Sequence, residues 1–396
     1  VTDAWTLGYC TNLHAGTDLE TIQANLDRYA VPVRAAAFGT DPMGVGLWIP
    51  AEAAASLVQG ATADAFGKWL EARQLTPYTI NGFPYANFHQ AVVKHQVYSP
   101  AWWETARLDY TRDLATILGR LLPPEATGSI STLPLGWPSA ASDAAAIERA
   151  GQQLRELSEH LQQIEREQGR RIVVAIEPEP GCLIDRGEDM IRFFDDHLPE
   201  TSHRRYLTVC HDVCHSAVMF EDQATVLRRY AAAGLSIGKV QVSNAIEIAW
   251  QAMPADGRQA AIPQLGGFAE DRYLHQTGRL DSQGTFTLDE DLPACVGTDP
   301  TTLTDRCWRI HFHVPIFLEQ LEHLATTQEA IGEALQTLAS PAGPAFTGHV
   351  EVETYAWSVL PEAFQNRGLV EDLAGEMRWL TRFLAEHNLP SAESPR

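Results

Sequence analysis

Residues 210–215 read CHDVCH, two thiols, two imidazoles and a carboxylate within six positions. Three chemistries use such a cluster: haem attachment, a structural zinc site, or one corner of a metal-dependent active site. Haem attachment requires Cys-x-x-Cys-His, whereas three residues separate Cys210 from Cys214. A structural zinc site requires a second Cys/His pair, which His311-x-His313 would have to supply. What remains is His211 followed by Asp212-x-x-His215, with Asp212 as the central candidate ligand.

Similar chemistry recurs at the ends of other apolar runs. RIVVAIEPEPG (171–181) rises through small apolar residues to Glu177, with Glu179 behind it. GKVQVSN carries Gln241 and Ser243, and GHVEVETY carries His349, Glu351 and Glu353. Because residues two apart share a face of a strand, Glu353 is the member of its set nearest the C-terminal end. A single Glu at a strand end is usually solvated or salt-bridged. Three carboxylates and an amide at the ends of four successive strands are a different matter. If Glu177, Asp212 and Glu353 converge, each close pair repels by about 4 kcal/mol at 4 Å and an effective dielectric of 20. A divalent cation or unusual protonation must compensate. The candidate ligand set is Glu177, Asp212, Gln241 and Glu353. This oxygen-rich set favours Mn²⁺ or Mg²⁺, with Co²⁺ or Zn²⁺ entering if a histidine joins.

These residues need a scaffold that brings strand ends together. Short β-rich runs alternate with amphipathic helical ones: 6–10, 44–50, 77–82, 128–137, 171–181, 205–212, 237–244 and 348–355 read as strands. The intervening segments include the long periodic helix beginning SDAAAIERAGQQLREL. Eight β-then-α units predict an α/β fold, a (β/α)8 TIM barrel, whose active site lies at the C-terminal ends of the strands. One segment breaks the rhythm. Residues 245–320 contain a helix-like piece, a hairpin from YLHQTGRL and GTFTLDEDL, and the strand-like WRIHFHVPIF. At about 75 residues this far exceeds a usual βα loop, so it is expected to be a long insertion after strand 7, lying over the barrel mouth. No repeat or flexible linker divides the chain, and 1–396 is expected to form one domain.

Composition removes other classes. With 29 Lys and Arg against 51 Asp and Glu the formal net charge is −22, a field that repels nucleic-acid backbones and anionic lipid. The start VTDAWTLGYC lacks a basic n-region and an apolar run, and no apolar stretch approaches a membrane span. The expectation is a cytoplasmic protein with no nucleic-acid partner and no membrane insertion. Six cysteines without disulfide-framework spacing are expected to be free thiols.

The ordered strand ends, IEPEPG, DVCH, KVQVSN and VEVETY, resemble the xylose isomerase-like TIM barrels, the sugar phosphate isomerase/epimerase group. In that group a Glu after strand five, Asp-x-x-His after strand six, His or Gln after strand seven and Glu after strand eight surround the metal. The resemblance implies those places for Glu177, Asp212 with His215, Gln241 and Glu353. GYCTNLH, TINGFPYANFH, KHQVYSPAW, HFHVPIF and HVEVETYAW resemble more closely the EboE metabolite-traffic family, associated with bacterial secondary-metabolite precursors. The leading reading is a metal-dependent isomerase or epimerase acting on a keto-sugar, cyclitol or related polyhydroxylated metabolite. Glu177 and Glu353 would act as base and acid, with His215 orienting a substrate oxygen. Candidate substrate contacts are His14, Asn81, His89, Lys94, His211, His311 and His313. The alternative is a non-catalytic metabolite-binding or traffic protein that keeps the metal site. A metal-dependent endonuclease is disfavoured by the charge. Expected partners are the small-molecule substrate and a homo-oligomer or proteins of the same pathway.

Overall fold

The computed structural model describes residues 4–138, 143–297, 299, 303–365 and 367–390. Its main element is a closed barrel of eight parallel strands: β1 (Thr6–Cys10), β2 (Met43–Trp48), β3 (Leu75–Asn81), β4 (Thr127–Thr132), β5 (Arg171–Ile176), β6 (Leu207–Asp212) and β7 (Ile237–Val242), closed by His349–Val352. Helices cover the outside, so β6 and β7 are buried on both faces, although each carries polar residues into the lumen. The longest helix, Ala144–Gln168, starts where the Asp143 side chain accepts a bond from the Ala146 amide, and ends at Gly169 in the left-handed region. Among the described residues no helix is long and apolar enough to cross a membrane. All six cysteines are free and buried.

Between β7 and the last barrel strand the chain builds a second sheet. Its strands are β8 (Ile246–Ile248), β9 (Thr277–Leu280), β10 (Phe286–Asp289), β11 (Cys307–Ile310), β12 (Gln320–Leu321) and β13 (Leu324–Thr326). Their order is β10-β9-β11-β8-β13-β12 and every pair is antiparallel. The last barrel strand is therefore β14 (His349–Val352). The second sheet has its own apolar cluster, in which Trp250 meets Trp308 edge-on at 5.1 Å. Trp48 and Phe88 from the barrel side join the same cluster, which fixes the sheet to the rim.

The barrel lumen is unusually polar. Near its base His349 Nδ1 lies 2.8 Å from Ser129 Oγ. One layer up, Lys239 Nζ lies 2.6 Å from Glu351 Oε2, both side chains having no solvent exposure. Burial opposes the ammonium charge, but the Glu351 carboxylate more than offsets it and holds the Lys239 pKa above its usual range. Gly46 makes room for this pair, because a Cβ there would stand 1.3 Å from Glu351 Oε1. The next layer up is the candidate site.

Candidate metal and substrate site

Three of the four expected ligands, Glu177, Asp212 and Glu353, come together at the C-terminal mouth, and Gln241 lies beside Asp212 in the β6–β7 register. Asp212 ends β6 and Gln241 lies within β7, whereas Glu177 and Glu353 are the first residues beyond β5 and β14. Backbone bonds fix both of these exits: Glu177 N donates to Thr132 O at 3.0 Å, and Glu353 N to Val242 O at 3.1 Å. The prolines at 178 and 180 end strand five earlier than the run 171–181 suggests, since they offer no amide to a ladder.

Glu177, Asp212 and Glu353 each bring an oxygen within 4.8 Å of the other two. All three are buried. Glu177 Oε2, Asp212 Oδ2, both polar atoms of the Gln241 amide, and His313 Nε2 have no hydrogen-bond partner. A native core rarely leaves so many buried polar atoms unmatched in one place. Two other carboxylate oxygens are held firmly. Asp212 Oδ1 accepts from Ser243 Oγ and the His215 amide, each at 2.8 Å. Glu353 Oε1 accepts from the side-chain amides of Asn12 at 2.7 Å and Asn81 at 2.9 Å. Burial, then the charges of Glu353 and Asp212, push the Glu177 pKa well above the usual carboxylate range. Burial, then Asp212 and Glu351, do the same to Glu353. Burial also raises Asp212, with His313 opposing. The donor set, the repulsion and the unmatched atoms all fit a divalent cation.

Above this point lies a cavity enclosing about 530 Å³, part of it open to solvent. Glu177, Glu179, His215, His311, His313 and Glu353 form its polar wall, and Phe83, Phe88, Tyr98, Tyr273 and Tyr355 its aromatic one. His215, His311 and His313 are all buried. Burial keeps the His215 pKa down near 3 and that of His313 near 4. His311 and His313 reach the cavity from a different local structure than expected. β11 stops at Ile310, and Phe312 N bonds back to Ile310 O at 2.9 Å. The two imidazoles therefore project from an irregular segment that turns at His311, past the strand, with Phe312 buried in the second sheet's cluster.

The other expected contacts divide. Asn81 lines the cavity, and so does Lys94, whose ammonium pairs with Asp291 at 2.7 Å. His89 stands one layer back, its Nε2 2.7 Å from Asn12 O. His14 and His211 are not at the mouth. His14 stacks on Tyr29 at 4.6 Å and bonds Tyr9 OH at 3.0 Å. His211 has the opposite parity to Asp212 on β6, so it faces outward, its Nε2 2.7 Å from Gln223 Oε1. Both belong to the packing behind the barrel wall. Conversely, Tyr98, Gln276 and Tyr355 are part of the site's framework and were not expected. Tyr355 shares the parity of Glu351 and Glu353, which is a readable signal; Tyr98 and Gln276 carry none. Trp48 and Trp102 are buried core residues.

No protein-family model matches the chain, and no curated protein matches it. Solved structures do. A xylose isomerase-like TIM barrel protein from Mycobacterium smegmatis, in complex with magnesium, superposes with a TM-score of 0.52 at 11% identity, over 96% of this chain and 97% of that one. A D-tagatose 3-epimerase-like protein gives 0.51 at 11% identity, over 97% and 98%. The fold, a (β/α)8 TIM barrel, is the one these two proteins share. Within such a barrel the mouth is where strand ends deliver functional groups, which is where the unmatched atoms gather here.

Proposed function

We propose that this xylose isomerase-like barrel is a divalent-metal-dependent isomerase or epimerase of a keto-sugar, cyclitol or related polyhydroxylated metabolite. The observation that carries the reading is the convergence of the Glu177, Asp212 and Glu353 carboxylates, with unpartnered buried oxygens on Glu177 and Asp212, beside a cavity that Glu177 and Glu353 line; the unpartnered Gln241 amide is next to Asp212 in the β6–β7 register. Those four residues would hold the cation, with Mn²⁺ or Mg²⁺ preferred by the oxygen donors and Co²⁺ or Zn²⁺ admitted if His313 joins. The cation supplies Lewis acidity to a carbonyl and its neighbouring hydroxyl.

The chain's own groups do the rest. In the barrel order β5-β6-β7-β14, Glu177 and Glu353 flank Asp212 and Gln241 and approach the shared point from either side. Burial, then the neighbouring carboxylate charges, raise both carboxyls, which favours their exchanging protons with substrate, one as base and the other as acid. Glu177 or Glu353 takes the proton from the carbon beside the carbonyl, and a protonated partner returns one to the neighbouring position. Asn12 and Asn81 fix the orientation of Glu353, while the aromatic wall excludes water and covers the apolar face of the substrate. His215 faces the same cavity and can meet a substrate hydroxyl. The resemblance to the EboE family supports placing this substrate among secondary-metabolite precursors.

Incubation with ketohexoses and inososes in D₂O, in the presence of Mn²⁺, tests the reading. Solvent deuterium at the carbon next to the carbonyl, abolished by Glu177→Gln and by Glu353→Gln, is expected. Metal-loaded protein that exchanges no carbon-bound hydrogen on any candidate would refute it.

A further inference from the structure

Three histidines around the cavity share a feature that contact with a substrate does not require. His215 Nδ1 lies 3.0 Å from Pro178 O, and His313 Nδ1 lies 2.9 Å from Glu353 O. A carbonyl only accepts, so each Nδ1 carries the proton. His311 Nδ1 lies 2.7 Å from Gln276 Oε1. That amide is oriented by its other end, where Nε2 donates to Pro180 O at 3.1 Å and to Tyr98 OH at 3.0 Å. His311 Nδ1 is therefore also the donor. In a neutral imidazole protonated on Nδ1, Nε2 presents a lone pair.

The consequence is a conflict that only a positive centre resolves. Nε2 of His215 and Nε2 of His311 face one another at 3.2 Å, two acceptors with no proton between them. Two nitrogens bound at 2.0–2.1 Å to one tetrahedral zinc ion stand about 3.3 Å apart, close to the spacing found. Glu179 offers a carboxylate oxygen within 4.8 Å of both imidazoles. It is held from behind by Tyr98 OH at 2.7 Å and Gln276 Nε2 at 3.4 Å. Carbonyl- and amide-pinned Nδ1 atoms with a hydrogen-bonded carboxylate are the outer supports that orient metal-binding side chains.

We propose that His215, His311 and Glu179 form a second cation site, of the zinc or cobalt class, adjoining the carboxylate site and sharing none of its four ligands. Two imidazoles and one carboxylate are borderline-soft donors, unlike the oxygen set below. Tyr355 OH stands 3.3 Å from His311 Nε2, at the edge of the site. The site joins the segment after β11 to the ends of β5 and β6, so a bound ion clasps the second sheet to the barrel. It reassigns His215 Nε2 from substrate to cation and does not depend on the reaction proposed above.

The test uses the full chain, stripped of metal and titrated with Zn²⁺ and with Co²⁺, with bound metal counted by elemental analysis. Wild type is expected to take two equivalents per chain, and His311→Gln to lose one of them by at least about 100-fold in affinity. X-ray absorption of the zinc-loaded wild type is expected to show more imidazole scattering than His313 alone supplies, and the excess to survive Glu353→Gln, a readout that needs no His311 variant to fold. Zinc-loaded wild type without that excess, or His311→Gln binding as many equivalents as wild type, overturns the proposal. Loss of one equivalent in Glu353→Gln with none lost in His311→Gln would overturn it while leaving the carboxylate site standing. The reverse pattern would support it and remove the cation from the proposed reaction.

Discussion

Replacing Lys239 by Met should unmask the cost of the polar lumen beneath the site. Lys239 Nζ and Glu351 Oε2 are 2.6 Å apart, and neither side chain has any exposure. Removing one partner of such a pair leaves an uncompensated buried charge, worth about 3–5 kcal/mol of destabilisation. Unfolding entropy near 2.1 cal/mol/K per residue gives this chain roughly 0.8 kcal/mol per kelvin, so the expected fall in Tm is about 4–6 °C. Lys239→Met/Glu351→Leu removes both charges and keeps the volume, and is expected within about 2 °C of wild type, since apolar replacement of a whole buried pair is often neutral. Differential scanning calorimetry at neutral pH, with the metal-free chain, reads both values. A single variant as stable as wild type, or a double variant no better than the single, would refute the account of the pair as mutually dependent.

The same geometry makes other expectations. Glu376, on the C-terminal helix, accepts from the Ile316 amide at 3.0 Å and Thr354 Oγ1 at 2.6 Å, and burial raises its pKa from 4.5 to about 7. A raised carboxyl stabilises the fold below its unfolded pKa, and that contribution is lost as pH rises through about 7. Glu376→Gln, which does not titrate, should therefore gain on wild type by on the order of 3 kcal/mol between pH 4.5 and pH 8 in urea melts; a pH-independent difference would contradict it. Asn81→Leu removes one of two amides from Glu353 Oε1, and calorimetric titration should show Mn²⁺ binding about 10-fold weaker or more. Gly46→Ala must displace the Glu351 carboxylate, and a stability loss of at least about 1–3 kcal/mol is expected by chemical denaturation. His211→Leu strands Gln223 and should cost about 1–3 kcal/mol while leaving cation stoichiometry unchanged. Loss of bound metal in that variant would return His211 to the mouth.

What the sequence disclosed follows from which interactions are local. Strand parity and the order of elements are written in neighbouring residues, so the barrel and the placing of Asp212, Gln241 and Glu353 on successive strands were legible. Parity also argued against His211 from the start, because it cannot share a face with Asp212 on a regular strand. The proximity of His215 to His311 was not legible. It depends on β11 pairing antiparallel with β9 and β8, a register set by packing across the second sheet. The role of Gln276 is still less visible: its amide is oriented by Pro180, Tyr98 and Glu179, residues from two other segments of the chain. CHDVCH thus divides where its strand gives way to a helix, which Asp212 caps. Asp212 and His215 turn to the mouth, where each meets groups brought from more than 25 residues away, such as Ser243 and His311. His211 turns to Gln223 behind the wall. A cluster that is dense in sequence is dispersed by the two-residue period of β6 and by the helical turn over Val213–Val218 that follows it, and the chemistry is assembled from what the barrel brings to one of its faces.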